Sequence, residues 1–219
     1  TVFAGACLAV HFATWFASIH QTTVMHATVL VCLSPVWVGV IESFSPKHRP
    51  SPRFWAGIAI AIPASAWMVT DTSGQVTFAG DLLAFIGGIA GGIYFAIGRR
   101  VRERVSIGAY ACSVCFSAAF FLGGTAIVTS APMWGFPWNE ALFILACVLG
   151  PQMLGHNGFN YALRYLPASL VSALLLLEPV GATVLAAVIY AEVPTITGAL
   201  ASSVVVAGVI VSIRSSADG

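Results

Sequence analysis

LPASLVSALLLLEPVGATVLAAVIYA, residues Leu166–Ala191, decides how the rest of the chain is read. It is an apolar run long enough to cross a bilayer, which needs about 20 residues. Near its middle stands one carboxylate followed by a proline, Glu178-Pro179. A charge at that depth costs at least ~2.5–3.5 kcal/mol on insertion scales and belongs against a bundle interior or a wet cavity. Glu178 is therefore expected to be a buried charge beside a helix break, and Pro179 to make that break.

Outward from this segment the pattern repeats. Of 219 residues 58% are hydrophobic and only 8% charged, against about 25% charged in a soluble domain, so an all-α polytopic membrane protein is expected. The charges delimit apolar segments at roughly 2–19, 23–43, 54–70, 81–98, 106–129, 141–162, 168–190 and 194–213, eight candidate spans joined by short connections. Lys47, Arg49, Arg53, Arg99, Arg100, Arg102, Arg104, Arg164 and Arg214 all fall on connections of one parity. The opposite connections hold Asp71, Asp81, Glu140 and Glu192 and no Lys or Arg. By the positive-inside rule the basic side, with both ends of the chain, is expected in the cytoplasm. Trp134 and Trp138 sit on an outer connection, as an aromatic belt would place them. A formal net charge of +1 argues against nucleic acid. The five cysteines (Cys7, Cys32, Cys112, Cys115, Cys147) fall in predicted spans, and no second ligand pair accompanies Cys112 and Cys115, so neither a metal nor any other cofactor is expected. The first segment lacks a basic leader and begins at Thr1, which reads as a truncated start rather than a cleaved signal peptide.

Offsetting the chain by 144 residues matches Leu30, Leu33, Pro35 and Val36 with Leu174, Leu177, Pro179 and Val180. Ser34-Pro35 then stands opposite Glu178-Pro179: the proline is shared, the charge is not. The helix at 2–19 runs outward and its counterpart at 141–162 inward, so the halves are inverted, an architecture of transporters that bind substrate near the midplane. Residues 1–72 are expected to be the last three helices of a first repeat and 77–215 a complete second repeat of five. Two more helices are expected upstream, ten in all.

Gly80-Asp81-Leu82-Leu83-Ala84, Tyr94 and Gly98-Arg99-Arg100 in the fourth segment, with Leu174-Leu175-Leu176-Leu177-Glu178-Pro179-Val180 in the seventh, resemble the EamA-type transporters of the drug/metabolite transporter superfamily. His11 with Trp15, and Leu154-Gly155-His156 with Asn160-Tyr161-Ala162-Leu163-Arg164, resemble one subset of it. Glu192 resembles the family's Gly-Glu pair, although Ala191 precedes it here. The resemblance covers essentially the whole chain. It implies ten helices in two inverted repeats, usually exporting a small metabolite or amphipathic compound across a bacterial inner membrane, with no single substrate implied.

The polar residues inside the spans are the candidate pathway. Gln152, His156 and Asn160 recur at i, i+4 and i+8 on one helix stripe, below a Gly150-Pro151 break that frees backbone carbonyls. They either line a cavity or glue neighbouring helices. His11 and Trp15 share a face four residues apart and either place an aromatic surface and a hydrogen-bonding group on the cavity or pack between helices; His156 could carry a proton, since an imidazole titrates near pH ~6.5. Tyr94 lies in a helix rich in glycine (Gly87, Gly88, Gly91, Gly92). Three roles stand open for Glu178: proton carrier, contact for a cationic substrate, or anchor for backbone freed by Pro179, of which the anchor is preferred. Gly198, Ser202 and Gly208 form a small-residue face for packing within the subunit or across a homodimer. No nucleophile elbow, helical metal-ligand pair or phosphate-binding glycine loop occurs. The expectation is a secondary transporter with the bilayer, a small-molecule substrate and a coupling proton as partners. The alternatives are an intramembrane enzyme using His156 and Glu178, or an assembly protein that transports nothing.

Overall fold

The computed structural model describes residues 1–46, 49–68, 75–190 and 195–214; Lys47, His48, Asp71, Ala191 and Glu192 lie outside them. The chain is all-α, with no strand among the described residues. Eight helical segments appear where the apolar runs stand: α1 (Val2–Ile19), α2 (Val24–Ser43), α3 (Pro52–Met68), α4 (Phe78–Arg102), α5 (Ile107–Val128), α6 (Trp138–Ala162), α7 (168–190) and α8 (Ile196–Arg214). All but α3 are long and apolar enough to cross a membrane. The expected eighth span, α3, has 17 described residues, so the eight-span expectation stands here as seven spans and one shorter helix.

Local chemistry explains the helix ends. The side chains of Thr23, Thr77 and Ser106 accept the first free amides of α2, α4 and α5 at 3.2, 3.1 and 3.4 Å. Helix α4 carries Asp81 in its first turn and Arg99, Arg100 and Arg102 in its last, the charge order that the helix dipole favours. Asp81 also accepts from Thr22 at 2.8 Å and lies 3.6 Å from His26, tying the start of α4 to that of α2.

Three segments are broken inside the membrane. In α2 the helix stops at Val31 and restarts at Ser34. In α7 a 3-10 turn over Leu174–Leu177 separates Ala168–Ala173 from Glu178–Tyr190. In α6 the Gly150-Pro151 break takes the form of a π-helix over Val148–His156, in which the Asn157 amide reaches back five residues to the Gln152 carbonyl.

Helices α2 and α7 cross antiparallel at the centre. Cys32, midway along α2, meets Glu178, and Glu42 near its end meets the start of α7. Helices α3 and α8 form a second antiparallel pair, Phe54 meeting Ser212 and Met68 meeting Ser202. Helix α4 is wedged between α1 and α2. The apolar core has two parts. One joins α1, α4 and α5 to the α6–α7 turn through Leu8, Phe95, Tyr110, Val114, Leu163 and Val171. The other joins α2, α3, α7 and α8 through Val31, Phe54, Ile58, Leu176, Val205 and Val209.

The α3–α8 pair needs small residues. A Cβ on Gly208 would stand 2.8 Å from the Gly57 carbonyl oxygen and 2.9 Å from Ala61, closer than packed atoms allow. Between helices already in lipid, such close van der Waals approach is the main attraction. Gly208→Val is expected to destabilise the protein by about 1–3 kcal/mol. Thermal unfolding in detergent checks this, and a wild-type melting temperature would show that the two backbones are not in contact.

Candidate functional site

The proline breaks place the polar groups. Pro35 has no amide, so the Val31 carbonyl four residues earlier loses its helical donor. The Ser34 hydroxyl supplies one: its Oγ lies 2.9 Å from that oxygen, and 3.0 Å from the Gly88 carbonyl of α4. Pro179 deprives Leu175 in the same way. An ionised carboxylate is acceptor-only and cannot do what Ser34 does. Instead the Glu178 backbone amide turns to the Leu175 carbonyl, which winds Leu174–Leu177 into the 3-10 turn.

This changes the standing of Glu178. Ser34 and Pro35 are buried, and so is Pro179, but Glu178 itself is exposed rather than buried. The backbone meets its own need at the break, so the carboxylate is not required there. Its hydrogen bond comes from the Cys32 thiol at 3.5 Å, not from a backbone amide. The anchor sought at Glu178 is found at Glu42. That carboxylate, 5% exposed, accepts from the amides of Ala168 at 2.9 Å and Ser169 at 3.0 Å. These are two of the three amides, Ala168 to Leu170, that lack a helical acceptor at the start of α7, since Pro167 at its cap has no amide. Sequence reasoning passed over Glu42; the available signal was a lone acidic residue at the end of an otherwise uncharged span.

Five of the six pathway candidates come together. From α1, His11 and Trp15 stack with ring centroids 6.3 Å apart. His11 Nδ1 pairs with the Gly87 carbonyl at 2.9 Å, a bond that requires the proton on Nδ1 in the neutral ring and leaves Nε2 as an acceptor. The His156 ring of α6 lies 6.2 Å from that of His11, 5.3 Å from Phe12 and 6.2 Å from Tyr94. Tyr94, 1% exposed, donates to Asn160 Oδ1 at 2.7 Å. Gly91 permits the approach of α4, since a Cβ there would come within 2.9 Å of both His11 Nδ1 and Ser34 Oγ. Trp15 Nε1, His156 Nδ1 and Asn157 Oδ1 are buried polar atoms without a hydrogen-bond partner. Such groups are rare because an unpaired buried donor or acceptor costs about 1–3 kcal/mol.

Gln152 goes elsewhere. Its amide reaches the Cys115 thiol of α5 at 3.5 Å, so the three-residue stripe is not continuous across the π-helix. Trp15 packs from α1 onto the second core, which contains Cys32, and so connects the aromatic cluster to the neighbourhood of Glu178. Cys112 and Cys147 are exposed, and no group of three or more His, Cys, Asp or Glu suited to a metal occurs among the described residues.

At the basic end two arginines of α4 grip the turn between α6 and α7. Arg99 Nη1 donates to the carbonyls of Leu163 and Arg164, both at 2.9 Å. Arg102, 1% exposed, donates through Nε to the Asn160 carbonyl at 2.9 Å and through Nη1 to that of Val105. Two cations of α4 thus cap the end of α6.

A broken-helix bundle with polar side chains converging between α1, α4 and α6 defines a polytopic membrane protein of transporter type. The EamA-like transporter family matches residues 78–214, more than half of the chain, and the chain belongs to that family. It is a membrane transporter of the drug/metabolite transporter superfamily, a family of transporters and not of enzymes. A solved structure titled "Crystal structure of protein" resembles it with a TM-score of 0.83 at 20% identity, over 97% of this chain and 75% of that one, a likeness of fold. Comparison with curated proteins gave no match.

Glu42→Ala is expected to lower stability by about 1–3 kcal/mol, because it strands two amides inside the protein, and Glu178→Gln by less. Equal losses in paired thermal melts would refute the assignment of the anchor to Glu42.

Proposed function

We propose that this protein is a secondary-active exporter of a small metabolite or amphipathic compound, working by alternating access between inverted halves. The observation that carries the reading is the convergence of His11, Trp15, Tyr94, His156 and Asn160 from three helices, with partnerless polar atoms on Trp15 and His156. A substrate would meet aromatic faces together with imidazole and amide groups. Gln152 serves packing against α5. Pairing of α2 with α7, the two segments matched by the 144-residue offset, supports a division into repeats at 1–72 and 77–215.

Glu178 is the counter-ion or proton site beside this path. A carboxylate at mid-span is too costly against lipid tails and belongs among polar groups. Its side chain bonds the Cys32 thiol rather than a backbone amide, which supports a coupling proton or a cationic group on the substrate over the anchor role. The basic end, with both chain ends, faces the cytoplasm of a bacterial inner membrane by the parity of the arginines. With no phosphate-binding loop in the sequence, the driving force is an ion or substrate gradient.

The test is counterflow into liposomes of reconstituted protein, using radiolabelled amino acids, nucleosides and amphipathic amines as probes. Tyr94→Phe and His11→Ala are expected to slow exchange about 3–10-fold, the size of one lost hydrogen bond, while Gln152→Leu slows it less. Exchange unaffected by Tyr94→Phe and His11→Ala would remove the cluster from the pathway. In the same vesicles, Glu178→Gln is expected to keep exchange and lose accumulation driven by a pH gradient; accumulation at the wild-type level would exclude proton coupling through this carboxylate.

A further inference from the structure

The arginines at the end of α4 and in the turn after it fall into two pairs. Arg99 and Arg102 turn inward and spend donors on carbonyls around the α6–α7 turn. Arg100 and Arg104 turn outward and are exposed. Both line one recess of about 460 Å³ at the α4–α5 turn, together with Glu103 and the half-buried Val101 and Val105. Glu103 leans to Arg99 at 3.8 Å. No ion pair or side-chain hydrogen bond engages Arg100 or Arg104 among the described residues. Like charges four residues apart on one face are destabilising, and an anion seated between them reverses the sign. Helix α4 has 25 residues and rises about 37 Å at about 1.5 Å per residue, against a hydrocarbon core of about 30 Å. Its charged last turn, and the recess with it, therefore stands at the level of the lipid headgroups. Helix α5, which begins at Ile107 beside the recess, carries Gly108, Cys112, Phe116 and Phe120 on one exposed stripe that leads back into the hydrocarbon.

We propose that this recess is a binding site for an anionic phospholipid. Arg100 and Arg104 bracket the headgroup phosphate, and an acyl chain lies along the Gly108–Phe120 stripe of α5. Guanidinium groups meet phosphate oxygens with paired, charge-assisted hydrogen bonds, and basic recesses at helix ends on a membrane surface hold such headgroups. Phosphatidylcholine brings its own compensating cation, whereas phosphatidylglycerol carries a net negative charge and answers the two unpaired arginines. The apolar valines of the recess and the stripe below it favour a lipid over a soluble phosphate ester, which has no use for either. A bound headgroup removes the repulsion between Arg100 and Arg104 and steadies the turn from whose start Arg99 and Arg102 reach the end of α6. Anionic lipid is therefore expected to stabilise the bundle as a whole. The site shares no residue with the His11–Tyr94–His156 cluster, and the proposal does not depend on the transport reading.

The experiment is native mass spectrometry with parallel thermal unfolding, on the full chain in neutral detergent. The protein is titrated separately with phosphatidylglycerol, phosphatidylcholine of the same acyl chains, glycerol phosphate and inorganic phosphate. Phosphatidylglycerol is expected to bind about ten-fold or more tighter than phosphatidylcholine and to raise the melting temperature. Arg100→Gln combined with Arg104→Gln should bring phosphatidylglycerol down to the phosphatidylcholine level. Arg100→Lys combined with Arg104→Lys, which keeps both charges, should retain most of the preference. Arg49→Gln combined with Arg214→Gln removes the same charge from exposed positions elsewhere at that end and should change nothing. Equal weakening in the two glutamine pairs would mean diffuse surface charge and overturn the site, as would equal affinity for the two lipids in the unsubstituted protein. Stabilisation by glycerol phosphate or inorganic phosphate at the same concentration would overturn the lipid in favour of a soluble phosphate. If the Arg100 and Arg104 glutamine pair does not fold, the two single variants decide: each is expected to weaken phosphatidylglycerol about three-fold, and no loss in either overturns the site.

Discussion

Every backbone carbonyl released inside the hydrocarbon must find a donor, and Pro35 and Pro179 each release one where α2 and α7 cross. The two helices meet this demand differently. In α2 the neighbouring side chain is a hydroxyl, and Ser34 fills the gap while reaching the Gly88 carbonyl of α4. In α7 the neighbouring side chain has no proton to offer when ionised, and the backbone tightens into a 3-10 turn instead. The same break therefore yields a serine-bridged joint in α2 and, in α7, a carboxylate that accepts from the Cys32 thiol.

The two acidic residues of α2 and α7 show how position overrides residue type. Glu42 stands where a helix begins and spends both oxygens on amides. Glu178 stands where a helix resumes after a break that has already satisfied itself, and it keeps an exposed face. The arginines divide similarly. Arg100 is exposed, whereas Arg102 is sealed against the end of α6. Arginines clustered at one end of the bundle can hold helix termini, because the carbonyl ends of helices that finish there carry partial negative charge.

Assembly of the aromatic and imidazole cluster depends on α4. Its glycines let α1 and α2 approach its backbone from two directions, which sets Tyr94 between His11 and the last turns of α6. The π-helix in α6 then decides which polar groups share the space: His156 and Asn160 turn to α1 and α4, while Gln152 turns to α5. Proline without an amide, glycine without a Cβ and a helix with an altered pitch together bring five side chains from three helices into one place.

Much was legible in the chain alone, because the bilayer makes burial a matter of composition. Span positions, the one-sided spacing of the arginines and the paired Ser34-Pro35 and Glu178-Pro179 follow from residue type and spacing, whereas Tyr94 stood out through the family resemblance. Family membership over residues 78–214 rests on the same local patterns. What the tertiary structure decided was partnership. The meeting of Glu42 with Ala168 and of Cys32 with Glu178, each across more than a hundred residues, depends on which helices cross and at what level. Apolar helices look alike to the lipid, so their sequences carry little record of that choice. An unpaired amide in a dry interior is costly, and the amides at the start of α7 find their acceptor in Glu42 rather than in Glu178.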